Sequence, residues 1–71
     1  MFTDRFVEML QSAGISAYKV AKDLSISQGT MNQYKNGKTL PNLENVCKIA
    51  DYLDVSVDYL LGRTDKPEVN R

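Results

Sequence analysis

Apolar positions along this chain fall into short stripes at helical spacing, and no run alternates as a strand requires. Phe6, Val7 and Leu10 stand at i, i+1 and i+4, which predicts a first helix from Asp4 to Ala13 behind Thr3 as N-cap, stopped by Gly14. Val20, Ala21 and Leu24 repeat that spacing in a second helix, which starts after Ser16 and ends in Ser25-Ile26-Ser27. A third is framed by Ser27 and Asn36-Gly37 and runs from Gln28 to Lys35, with Gly37 able to adopt the left-handed conformation that ends many helices. Pro41 then sets an extended approach and Asn42 caps a fourth helix, with Leu43, Val46, Cys47, Ala50 and Leu53 on one face. Ser56 caps a fifth, Val57 to Leu61, closed by Gly62. The remainder, RTDKPEVNR, is polar and contains a Pro, so residues 63–71 read as a mobile end or a linker cut short before a further domain.

The pattern predicts an all-α, five-helix globule over residues 1–62, and the length limits it to one thin core. The single cysteine, Cys47, cannot form an internal disulfide, and with no His there is no set of zinc ligands, so packing alone must hold the fold. Cys47 itself reads as a buried small hydrophobe, and Tyr18, Tyr52 and Tyr59 as partly buried packing residues. The N-terminus has no signal-peptide pattern and no stretch nears the roughly 18 apolar residues of a membrane span, which predicts a cytoplasmic protein. Without His, a Gly-rich phosphate loop or a clustered nucleophile, neither an enzyme, a cofactor, a metal nor a small-molecule substrate is expected.

Net charge is zero, yet it is segregated. Residues 16–43 hold Lys19, Lys22, Lys35 and Lys38 against Asp23 alone, a net of +3, while residues 44–65 hold Lys48 and Arg63 against five acids, a net of −3. Chance clustering on a solvated surface gives such a pattern, and so does a face that steers an anionic ligand.

The third helix separates the two readings. Gly29, Thr30, Asn32 and Tyr34 are weak helix formers whose summed penalty relative to Ala is roughly 2 to 3 kcal/mol. Placed on a wheel, Gln28, Gly29, Asn32, Gln33 and Asn36 share one side, and Thr30, Met31 and Tyr34 lie opposite. An ordinary solvated face is filled with Glu, Lys, Gln and Ala; this one accepts Gly and two Asn and avoids acids. A planar amide pairs a donor with an acceptor, which matches the N6 and N7 edge of adenine in the major groove. Lys19 on the second helix, Asn36, Lys38 and Thr39 after the third, and the N-H groups near Asn42 at the start of the fourth suit phosphates.

The span SAYKVAKDLSISQGTMNQYKNG, residues 16–37, resembles the helix-turn-helix of the lambda-repressor-like, Cro/CI-type (xenobiotic response element) transcriptional regulators, and the likeness extends through Pro41, ENVCKIADYLDVS and DYLLG. The resemblance implies a compact five-helix domain whose third helix enters the major groove, as a homodimer on a palindromic double-stranded operator. By position it implies base contacts from Gln28, Asn32 and Gln33, with Gly29 where a base-reading side chain often stands, and phosphate contacts from Asn36, Lys38 and Thr39. Ala17 departs from the Gln often found there, which removes a phosphate contact, and Ser25 stands where Gly is common in the turn, so a left-handed residue there would cost stability. Val57, Tyr59, Leu60 and Leu61 are the candidates for a mixture of core and dimer contact. A second reading is an antitoxin-like or other protein-interaction module in which DNA binding is secondary, favoured by the acidic half and the overall neutrality.

Overall fold

The computed structural model describes residues 2–68. Among them are five α-helices and no strand: α1 (Phe2–Ala13), α2 (Ala17–Leu24), α3 (Gln28–Lys35), α4 (Leu43–Leu53) and α5 (Val57–Leu60). Among the described residues no helix is long and apolar enough to cross a membrane.

The last four helices begin with the same device. Side-chain oxygens of Ser16, Ser27, Asn42 and Ser56 accept the N-H groups of Lys19, Thr30, Asn45 and Tyr59 at 3.1, 3.1, 2.8 and 3.0 Å. Each satisfies one of the donors that a helix start leaves unpaired, worth typically about 1 kcal/mol. A second device ends all five. A residue with positive φ (Gly14, Ser25, Gly37, Asp54 or Gly62) donates its N-H to the carbonyl three residues back, and its successor donates to the carbonyl five back. After α1, α2 and α4 that successor is Ile15, Ile26 or Val55, which packs against the core and pins the chain reversal. Ser25 and Asp54 adopt φ 58° and 56° despite carrying a Cβ, a conformation that disfavours an L side chain by roughly 1 to 2 kcal/mol.

Between the caps, each helix buries one stripe: Phe2, Phe6 and Leu10 from α1, Val20 and Ala21 from α2, Met31 and Tyr34 from α3, and Val46, Ile49 and Ala50 from α4, closed by Val55, Tyr59 and Leu60. The structure corrects the sequence reading in several places. Helix α1 starts at Phe2 rather than Asp4, so Thr3 lies inside the first turn and does not cap it. The reason is packing, since Phe2 stacks on Phe6 one turn later at 5.3 Å and meets the Tyr34 ring edge-on at 6.5 Å. In α4 the packed stripe is Val46, Ile49, Ala50 and Leu53, spaced i, i+3, i+4, i+7; Leu43 lies ahead of it and is 76% exposed, and Cys47 on its flank is only half-buried.

Part of the polar end contacts the helices. Pro67 offers its carbonyl to the Ser56 N-H at 2.9 Å, and Arg5 stacks over the Tyr59 ring at 4.2 Å while pairing with Asp65 at 3.1 Å. These contacts join residues 63–67 to α1 and α5; residues 69–71 lie outside the described part.

Candidate nucleic-acid interface

Three residues set the angle between α2 and α3. Ser25 reverses the chain in its left-handed conformation, half-buried Ile26 donates its N-H to the Ala21 carbonyl at 2.9 Å, and Ser27 caps α3 while its hydroxyl donates to Thr30 Oγ1 at 2.7 Å. Val20 and Ala21 are fully buried, which lets the two backbones approach. On α3 the packed side is Met31 and Tyr34, and the Tyr34 hydroxyl is fixed by Asn45 Nδ2 at 3.0 Å. Gln28, Gly29, Asn32, Gln33, Lys35 and Asn36 are all exposed. The helix is thus held by one side and presents amides on the other.

The exposed groups are not equivalent. Gln28 donates its Nε2 to the Tyr18 carbonyl at 3.1 Å, so its amide is oriented by α2 with the side-chain oxygen still available. Asn32 and Gln33 have no side-chain partner among the described residues, leaving both ends of each amide for a ligand. Gly29 has helical dihedrals, and a Cβ built on it would meet nothing within 4 Å. After the helix, Gly37 at φ 75° and the bond from the Lys38 N-H to the Gln33 carbonyl at 3.0 Å turn the chain, so that Lys38 and Thr39 follow directly on the amide face and are exposed.

The remaining expected contacts are partly engaged within the chain. Asn42 uses its side-chain oxygen to cap α4, so its amide NH2 and the first-turn N-H groups are what an anion would meet. Lys19 is paired with Asp23 Oδ2 at 3.1 Å, and the Tyr52 hydroxyl donates to the same oxygen at 2.6 Å, tying α4 to α2. The Tyr52 hydrogen bond, followed by Lys19, holds the Asp23 carboxyl below the usual carboxylate range; the same carboxylate raises the Tyr52 phenol and the Lys19 ammonium. Lys22, Lys35 and Lys38 form no ion pair among the described residues, so the positive charge around α3 is largely uncompensated.

An open groove of about 490 Å³ runs between the start of α2 and the exposed side of α3, lined by Ala17, Tyr18, Gly29, Asn32 and Lys35 among others. On α5, Tyr59 and Leu60 are 7% and 0% exposed and belong to the core, so they are closed to a dimer partner; Val57 is half-buried against the same core, and Leu61, beyond the helix end, is 39% exposed.

The helix-turn-helix family pattern matches residues 8–60, from within α1 to the end of α5. This chain belongs to the Cro/CI-type helix-turn-helix family. It is 33% identical over 60 residues to the cryptic phage CTXphi transcriptional repressor RstR of Vibrio cholerae, covering 84% of this chain and 54% of that protein. To the HTH-type transcriptional regulator AnsR of Bacillus subtilis it is 35% identical over 63 residues, 89% of this chain and 54% of AnsR. The SPbeta prophage-derived uncharacterized HTH-type regulator YonR of the same organism is 34% identical over 64 residues, 90% and 59%. The chain therefore spans somewhat more than half the length of these relatives. No solved structure matches it significantly.

Two features of this Cro/CI-type domain escape the sequence reading. Lys35 stands only about 20° from Gln28 on a helical wheel, so the amide face carries a cation at its edge. Tyr18, which the sequence predicts to be a partly buried packing residue, is 64% exposed. It lies well outside the Val20, Ala21, Leu24 stripe, which was the available signal.

Proposed function

We propose that this Cro/CI-type domain is the DNA-binding unit of a sequence-specific transcriptional regulator, a repressor, that reads the major groove with α3. The observation that carries the reading is the division of α3 into a packed side, Met31 and Tyr34, and an exposed side of amides with no acid. Gln28, Asn32 and Gln33 take the base-edge role, and Asn36, Lys38, Thr39, Lys19 and the start of α4 at Asn42 take the phosphate backbone. Lys19 exchanges Asp23 for phosphate on binding. The printed role of RstR as a transcriptional repressor favours the negative sign of regulation.

The working unit is a cytoplasmic homodimer on a palindromic operator, its half-sites about one helical turn apart. Leu61 and the outer edge of Val57 are the part of the α5 surface left for the second copy. Selection of duplexes from a random pool at fixed salt tests the reading, followed by titration of the winner against salt. One enriched, two-fold-symmetric site whose affinity falls steeply as salt rises is the expected result. Leu40 and Leu43, 62% and 76% exposed around Pro41, favour the second reading, an antitoxin-like or other protein-interaction module. Weak, sequence-independent binding to every duplex would select that reading instead.

A further inference from the structure

Gly29 has no explanation inside the domain. Its backbone is helical, where only Pro is a worse choice, and a Cβ there would touch nothing within 4 Å. Neither a left-handed turn nor a tight helix crossing requires the missing side chain. What a Cβ would occupy is the groove between α2 and α3, on whose opposite wall Ala17 is likewise short and Tyr18 forms an exposed aromatic rim. The Gln28 Nε2 bond to the Tyr18 carbonyl at 3.1 Å holds this rim in register with the first amide of the reading face. The groove thus combines an apolar notch with amides beside it, Lys35 at its margin and no acid.

That combination is complementary to one base pair. The major-groove edge of A·T carries N6 and N7 of adenine beside O4 and the 5-methyl group of thymine, whereas C·G offers the N4 amine and no methyl. On the reading that α3 enters the major groove, we infer that Gly29, with Ala17 and Tyr18, forms a receptor for the 5-methyl group of a thymine whose adenine partner, or an adjacent adenine, pairs with the neighbouring amides. Gly29 is then a specificity-determining residue through the space it leaves, and its poor helix propensity is offset by the close approach it permits.

The test uses the whole chain and the duplex enriched from a random pool, with each thymine replaced in turn by deoxyuridine, which lacks only the methyl group. One position per half-site should weaken binding about fourfold, the effect of burying one methyl group. Gly29→Ala should unfold at a higher temperature than the parent and bind random duplex equally well. On the enriched duplex it should bind at least tenfold more weakly and no longer distinguish thymine from deoxyuridine at that position. The inference is overturned if no thymine is sensitive to loss of its methyl, or if Gly29→Ala binds the enriched duplex like the parent with its discrimination intact. If no duplex is enriched, the DNA-reading proposal fails first and this inference with it.

Discussion

Helices α3 and α4 share their construction at the ends and on the packed side, and differ where they face water. Each starts on a side-chain cap, Ser27 or Asn42, and each ends in a left-handed residue, Gly37 or Asp54. Each buries its stripe almost completely, Met31 and Tyr34 in one, Val46, Ile49 and Ala50 in the other. The exposed side of α4 follows what favours a helix in water, with Glu44 in the first turn and an ion pair from it to Lys48 at 3.6 Å. The exposed side of α3 holds Gly29, Asn32, two Gln and Lys35, with Asn36 as its C-cap, no acid in the first turn and no ion pair among the described residues. Folding favours the α4 pattern and is disfavoured by the weak helix formers of α3, so the difference points to a ligand rather than to stability.

The comparison can be broken first at the packed side, where the two helices should behave alike. Met31→Ala and Ile49→Ala, both at fully buried positions, should each destabilise the domain by about 2 to 5 kcal/mol in urea unfolding. A much smaller loss for Met31→Ala would mean that α3 is not anchored as described. The caps should also match: Ser27→Ala and Asn42→Ala should each cost about 1 kcal/mol, read from the shift in midpoint at constant slope.

Smaller effects sharpen the contrast. Ser25→Gly relieves the left-handed strain that sets up α3 and should stabilise the fold by roughly 0.5 to 1 kcal/mol, less than the full strain because glycine also loosens the unfolded chain. Unchanged affinity for the enriched duplex would accompany that gain if the turn geometry is preserved. On the water-facing side of α4, Glu44→Gln should cost at most about 0.5 kcal/mol of stability and leave specific recognition unchanged, since that pair is exposed.

How much was legible depended on whether a feature is local. The caps Ser16, Ser27, Asn42 and Ser56 and the stops at Gly14, Gly37 and Gly62 are set by chemistry within five residues, and the sequence shows them. So does the division of α3, because one helix turn decides it. What was hidden depends on distant partners. Phe2 is helical because Tyr34 and Phe6 cover it, and residues 63–67 are held because Ser56 and Arg5 receive them. Asp54 is left-handed, a conformation that Asp tolerates better than most residues but marks less plainly than Gly, and Gln28 is oriented by a carbonyl ten residues earlier. On the exposed side of α3 the amides are legible from the helical spacing, whereas Lys35 lies at the edge of that side and Tyr18 on a different helix, so neither follows from the amide pattern.

The claim that matters most is that the α3 amides read base edges, and one binding comparison addresses it directly. Gln28→Ala and Gln33→Ala are measured at one salt concentration on the enriched duplex and on random duplex of equal length. Each substitution should weaken the enriched site by about 1 to 3 kcal/mol, tenfold or more at the middle of that range, and leave random duplex within a factor of about two. Equal losses on both duplexes would reassign the amides to the phosphate backbone. Parental affinity of both variants for the enriched site would contradict the account.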